Sequence, residues 1–302
     1  MSGDHSKRAG DSQVRLFVWT GLRSLSTILT KCLSFVEDSL IFFEPYFCAY
    51  LHGPQRFVPE VPDADEEARI ANYERNAAAV TSVEGGFEAS ECTYQWVKER
   101  LEEDHGEKRF VFCKDFASAV ITGDKLKFLP RGYQHVFLIR HPLKVFPSMK
   151  SMLRVTMKAS DDFSLEELKR YPTDGMYRDM SDLFDHIRKE YKQEAIIIDA
   201  DDLQQDPRGV LSALFTAIGM PFQEQLLSWE AGDAVSRSWI ISQTQLRGNK
   251  FGHYYKNAFA STCFLRPSAL PDRESLSADI LRCVDASMPY YEKMYAQRLK
   301  PV

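Results

Sequence analysis

The chain has 302 residues, 44% of them hydrophobic and 27% charged, with a formal net charge of −5. This is the composition of an ordinary globular domain, and its acidic balance argues against wholesale nucleic-acid binding, which needs a basic face. No run of about 18 apolar residues occurs, so no membrane span is expected, and the polar first residues do not resemble a secretory leader.

In chain order, residues 1–13 are expected to be disordered and 14–302 to form a single domain. Residues 15–19 are an apolar run of strand length. They break into Gly21-Leu22-Arg23-Ser24-Leu25-Ser26-Thr27, a hydroxyl-rich loop around one arginine, and an apolar-periodic helix follows through Ile28, Leu29, Cys32 and Leu33. A strand, loop and helix in this order aim backbone N–H groups and a helix N-terminus at one point, which suits a phosphate or sulfate. Arg23 adds a fixed charge, and Ser24, Ser26 and Thr27 add hydroxyl donors. The lysine and glycines of a Walker A loop are missing, which points away from ordinary ATP and GTP enzymes.

A second apolar run, 39–43, ends in Glu44-Pro45. The proline-rich stretch 46–62 is expected to be an ordered loop. Residues 63–79, capped by Asp63 or Asp65, and residues 89–103 are expected to be helices, which together make a helical insertion at about 46–105. The runs 109–113, 135–139 and 195–198 read as strands ending in Lys114-Asp115, in Arg140-His141-Pro142 and in Asp199. Helices are expected from about 143, over 173–192, from Asp206-Pro207 to a Gly219 cap, and over 276–299. Residues 229–270 are expected to be irregular.

Five short, wholly apolar strands between helices imply an α/β fold whose central parallel sheet is covered on both faces. Ligands of such sheets bind at the C-terminal edge of the strands, and Arg23, Glu44, Lys114 and Arg140 all fall there. Asp115 and Asp199 would be metal ligands in an NTPase and are otherwise structural. The six cysteines form no C-x-x-C pair, so they read as thiols of a reduced, cytoplasmic protein, and no metal site is expected.

An arginine fork at Arg140 with the hydroxyl of Ser148 can hold a second phosphate bidentately. Two anion sites suit a nucleotide phosphorylated at both ends. Arg23-Ser-Leu-Ser-Thr27 together with Arg140 and Ser148 resembles the sulfotransferases that use 3′-phosphoadenylyl sulfate (PAPS), in a divergent branch with an Arg-Ser-x-Ser-Thr loop. The resemblance implies a three-layer P-loop-type fold and metal-independent, in-line transfer to a hydroxyl or amine of a small-molecule acceptor, leaving 3′,5′-adenosine bisphosphate. It implies that the first loop, from Gly21 to Thr27, grips the 5′-phosphosulfate and that Arg140 and Ser148 grip the 3′-phosphate. The stretch ending in Ser261-Thr262 resembles the family's C-terminal cofactor loop.

The family's loop proline and glycine are Leu22 and Leu25 here, so leucine must reach that loop's backbone angles or the loop differs in shape. The histidine that commonly follows the strand-three lysine is absent, since Lys114 is followed by Asp115 and Phe116. Some branches use a glutamate at the end of strand two, a pattern that Glu44 fits as a general base. The resemblance therefore nominates Arg23, Glu44 and Lys114 as the catalytic set. Phe43, Tyr46, Phe47 and Tyr254 are candidate walls of an acceptor pocket, and His52 and His253 are alternative bases. The rival readings are a Mg-dependent P-loop kinase or NTPase, and a catalytically silent nucleotide-binding protein. Neither nucleic acid nor membrane is an expected partner, and a homodimer is compatible with the sequence.

Overall fold

The structure is a computed structural model that describes residues 13–59, 64–80, 83–169 and 173–301. Most of the expected N-terminal tail, and the proposed cap Asp63, lie outside the described residues.

Five strands form one parallel sheet: β1 (Val14–Thr20), β2 (Ser39–Phe43), β3 (Phe110–Phe116), β4 (Gln134–Ile139) and β5 (Ile196–Asp199), in the spatial order β2-β3-β1-β4-β5. Twelve α-helices cover the sheet among the described residues. They are α1 (Ser26–Leu33), α2 (Pro45–Leu51), α3 (Ala64–Ala78), α4 (Tyr94–Glu102), α5 (Ser118–Ile121), α6 (Pro142–Met157), α7 (Met176–Glu190), α8 (Ala200–Gln205), α9 (Pro207–Ala217), α10 (Gln243–Gly252), α11 (Lys256–Ala260) and α12 (Ala278–Tyr295). The sheet is therefore the α/β, parallel, doubly covered architecture that the apolar runs imply.

Side chains alternate between the two faces, as the period of a strand demands. Phe17, Trp19, Cys113 and Phe137 pack into one core with α6, α7 and α12. Leu16, Val18, Phe112 and Leu138 pack into the other with α1 and α9. Within the first core the buried Trp19 donates Nε1–H to His135 Nδ1 at 2.9 Å, and burial pushes the His135 imidazole down to about 3.

Three expectations fail locally. Residues 46–62 are not all loop, because α2 starts at Pro45. Its N-terminal amides are capped across space, with Asp115 accepting from the N–H of Tyr46 at 2.5 Å and of Phe47 at 3.0 Å. The span 89–103 is a 3₁₀ turn (Ala89–Glu91) followed by α4, whose start is set by the Thr93 side-chain cap. The region 229–270 holds α10 and α11, and α10 opens on a Ser242/Gln245 capping box.

Register brings the chemistry to one rim. Trp19 lies beside Asp115, Phe43 beside Lys114, and Ile139 beside Asp199. Beyond β2, Ile240 extends the sheet: its N–H donates to the Ile41 carbonyl at 2.8 Å, and its carbonyl accepts from Phe43 N–H at 2.9 Å.

Candidate active site

The rim opens into a cavity of about 360 Å³ lined from every side. The loop after β1 supplies Leu22 through Thr27, the β2 end supplies Glu44, α2 supplies Phe47, and the β3 end supplies Lys114 and Phe116. Arg140 enters after β4, Ser148 and Met152 from α6, Tyr73 from α3, and Gln245, Tyr254, Tyr255 and Asn257 from the α10–α11 region.

The loop after β1 is strained. Arg23 (φ 63°) and Leu25 (φ 67°) both adopt left-handed backbone, as does Glu44 (φ 56°). Such residues cost roughly 1–2 kcal/mol each unless glycine, and strain of this kind gathers at sites that the surrounding fold over-determines. Leucine thus does reach the conformation for which glycine is the default. Leu25 is also the residue before α1, where no side chain caps the helix, so the helix N-terminus faces the cavity without a competing group. The buried Ser24 hydroxyl is spent on the loop itself, bonding to Thr20 Oγ1 and donating to the Gly21 carbonyl at 2.8 Å. Gly21 lies behind the cavity, where a Cβ would meet Met176 Sδ at 2.6 Å.

Arg23 and Arg140 sit side by side. Arg23 Nε donates to Ser148 Oγ at 2.9 Å, and Arg140 Nη1 donates to the Arg23 carbonyl at 3.0 Å. Burial, and for Arg23 the neighbouring Arg140 charge, pull both guanidiniums below their ordinary range. Among the described residues neither has a carboxylate partner within 4.0 Å, and the buried Arg140 Nε has no hydrogen-bond acceptor. The nearby acids Asp201 and Asp199 act on Arg140 through space but make their contacts elsewhere. Asp201 pairs with Lys144 at 2.6 Å, while Asp199 caps α8 and accepts from Tyr291 at 3.1 Å. Two half-buried cations with no carboxylate in contact, beside a helix N-terminus, could hold an anionic ligand.

The β2–β3 half is the reverse. Lys114 (1% exposed) and Glu44 (4% exposed) form a contact ion pair. The Lys114 ammonium also lies 3.7 Å from the Phe116 ring centroid. The other Glu44 oxygen accepts from Gln245 Nε2 at 2.7 Å and from the Tyr255 hydroxyl at 3.4 Å.

Several candidate residues are not brought to the cavity. Phe43 stacks on Trp239 in the second core, at 4.8 Å between ring centroids. Tyr46 is buried in the first core with its hydroxyl on the Phe128 carbonyl at 2.6 Å. His253 is the exposed left-handed cap of α10, whereas His52 does line the cavity. Ser261 and Thr262 also lie outside it. Ser261 accepts from Trp229 Nε1 at 2.9 Å and from the buried Lys31 Nζ at 3.0 Å, and the Thr262 carbonyl accepts from Trp229 N–H. Their segment reaches the cavity instead through Asn257 and Ala258. Sequence reading missed Gln245, Tyr73, Met152 and Thr156, which come from helices far along the chain with no local motif to mark them.

Fold and site together define an α/β protein with a cavity lined by two arginines and a Lys–Glu pair at the strand ends. A sequence model described as "Sulfotransferase domain" matches residues 104–298. The match covers well over half of the chain, which therefore belongs to the sulfotransferase family, with a P-loop-like fold.

Two Arabidopsis thaliana proteins named branched-chain-amino-acid aminotransferase-like protein 2 and 1 are each 26% identical to the chain. They match over 85% and 90% of it. The chain spans only 37% and 40% of their lengths. Among solved structures, the sulfotransferase domain of the Synechococcus PCC 7002 olefin synthase aligns with a TM-score of 0.43 at 16% identity, over 96% of this chain and 98% of that one. A sulfotransferase from Alicyclobacillus acidocaldarius aligns at 0.44 and 14%, over 80% and 97%.

Proposed function

We propose that residues 14–302 act as one unit that moves a sulfuryl group from PAPS to a hydroxyl or amine of a small-molecule acceptor, without a metal. The observation that carries this is the Arg23–Arg140 pair, two half-buried guanidiniums with no carboxylate partner among the described residues. A bisphosphorylated nucleotide fits that deficit. The 3′-phosphate would accept from the free Nε of Arg140 and from Ser148, and the 5′-phosphosulfate would lie against Arg23, Ser26, Thr27 and the start of α1.

Bound there, PAPS supplies a sulfuryl group whose transfer forms an acceptor O–S or N–S bond and releases 3′,5′-adenosine bisphosphate. Arg23 stabilises the negative charge that grows on the leaving phosphate. Glu44 receives the acceptor's proton. Lys114 contacts Glu44 and balances its charge in a water-poor setting. Phe47, Phe116, Tyr73 and Tyr254 give the acceptor side flat, mostly apolar walls, which suits a phenol, alcohol or amine with little charge of its own.

The test is radiolabelled sulfuryl transfer from PAPS to a panel of phenols, alcohols and amines in the presence of a metal chelator. Label transfer that needs both Arg23 and Glu44 is expected. Nucleotide binding without transfer to any acceptor would favour a silent binding protein, and transfer of phosphate from ATP would favour a kinase.

A further inference from the structure

We infer that Gln245 is a positioning residue that aims Glu44 at the acceptor, an inference that rests on reading Glu44 as the base. Glu44 needs outside support. Its backbone is left-handed at the junction of β2 and α2, and its carboxylate is held only by other elements: Lys114 from β3, Gln245 from α10 and Tyr255 from the turn before α11.

The direction of the Gln245 amide is fixed by its neighbours. Its Oε1 accepts from Ser242 Oγ at 2.7 Å and from Ser242 N–H at 3.4 Å. That leaves Nε2 as the end that donates to Glu44 Oε2 at 2.7 Å. Ser242 is itself immobilised. It is fully buried, its Oγ accepts from Gln245 N–H at 3.1 Å, and it pairs with Phe87 in a short β-bridge.

The same segment hydrogen-bonds to β2 through Ile240, on the strand that delivers Glu44. The capping box that starts α10 and the strand that ends in Glu44 are therefore locked in register by backbone bonds. Gln245 spans the gap between them, so the box serves both to begin a helix and to orient a carboxylate. With Oε2 turned to Gln245 and Oε1 to Lys114, only one edge of Glu44 is left for the acceptor. A base held within a fraction of an ångström gains rate through geometry rather than through affinity.

The charged and titratable groups facing Glu44 are Lys114 and Asp115 from β3, Cys48 from α2 and Tyr255. The Gln245 amide does not titrate, so its effect must appear through Glu44.

The experiment measures steady-state transfer from PAPS with Gln245→Met, Glu44→Gln and the double variant, alongside 3′,5′-adenosine bisphosphate binding. Gln245→Met is expected to lower kcat about 10- to 100-fold, the worth of one hydrogen bond to a charged group. Acceptor KM and bisphosphate affinity should stay within about threefold, because the residue does not lie at the nucleotide end of the cavity. Added to Glu44→Gln, the same change should alter kcat by less than about twofold, since a residue acting through another has nothing left to act on.

Bisphosphate binding also verifies folding, and Gln245→Glu, which keeps shape and the Ser242 bond, serves if the methionine variant does not fold. It should lose activity by setting a second carboxylate against Glu44. Full kcat in Gln245→Met, or losses that multiply with those of Glu44→Gln, would overturn the inference. Full kcat in Glu44→Gln would instead overturn the reading of the base, and the positioning role with it.

Discussion

Two charged clusters share the rim of the sheet and are built on opposite rules. Over β2 and β3 the charges cancel: Lys114 and Glu44 touch, and Gln245 and Tyr255 satisfy the second carboxylate oxygen. Over β1 and β4 they do not, because Arg23 and Arg140 lie together while Asp199 and Asp201 serve other partners. A half-buried charge with no counter-ion in contact carries a desolvation cost, which an anionic ligand in the cavity would offset. The first cluster is complete within the protein and suits a group that must be poised before the substrate arrives. On the proposed reading, the contrast separates a binding half, which holds the donor and its leaving phosphate, from an acceptor-activating half along one sheet edge.

Substitutions can break that contrast. The largest effect is expected from Arg23→Met, which should lower kcat/KM about 10³-fold through loss of transition-state charge stabilisation. Glu44→Gln should lower kcat about 10²-fold with little change in nucleotide affinity, within the range for removal of a general base. Chemical denaturation should then divide the halves by stability. Lys114→Met leaves Glu44 buried and unpaired, and should cost about 3–5 kcal/mol. Arg140→Met removes an unneutralised charge, and should leave stability within about 1 kcal/mol of the parent. Equal losses in the two variants would show that the halves are not built differently.

Two smaller effects sharpen the picture. Leu25→Gly relieves a left-handed leucine (φ 67°) in the binding half and should stabilise the protein by up to about 1 kcal/mol, less whatever packing Leu25 contributes. Away from the rim, the buried His135 has its folded-state pKa pushed down to about 3 against an ordinary 6.5. The unfolded chain therefore takes up a proton below about pH 6.5 that the fold refuses, and stability falls as pH drops through that range. Between pH 7 and 5 the His135 contribution should be roughly 2 kcal/mol. His135→Gln, which keeps an acceptor for Trp19, should remove that part of the pH dependence, as urea melts at the two pH values would show.

The frame of the site was legible because it follows from local patterns. Apolar runs ending in charge placed Arg23, Glu44, Lys114 and Arg140 at strand ends, and the parallel sheet gathers strand ends. What escaped was set by distant partners. The α2 helix depends on Asp115 from β3, and α10 was hidden in a stretch whose aromatic and glycine content reads as loop. Aromatic residues near Glu44 could not be sorted by composition, since successive strand residues face opposite cores. Phe43 belongs to Trp239 rather than to the cavity. The Ser261-Thr262 stretch resembles the family's loop in sequence, but Trp229 and Lys31 engage its polar atoms. Gln245 carries no motif as a partner of Glu44, because that contact exists only once β2 and α10 are side by side.

The division of the rim is tested most directly by calorimetric titration, without metal, of the wild type and Arg140→Met with 3′,5′-adenosine bisphosphate and with 5′-AMP. The wild type should bind the bisphosphate at least about tenfold more tightly, the worth of a charge-assisted contact to the 3′-phosphate, and Arg140→Met should bind the two alike. Equal affinity for both nucleotides in the wild type would contradict the assignment of the unpaired arginines to a doubly phosphorylated ligand.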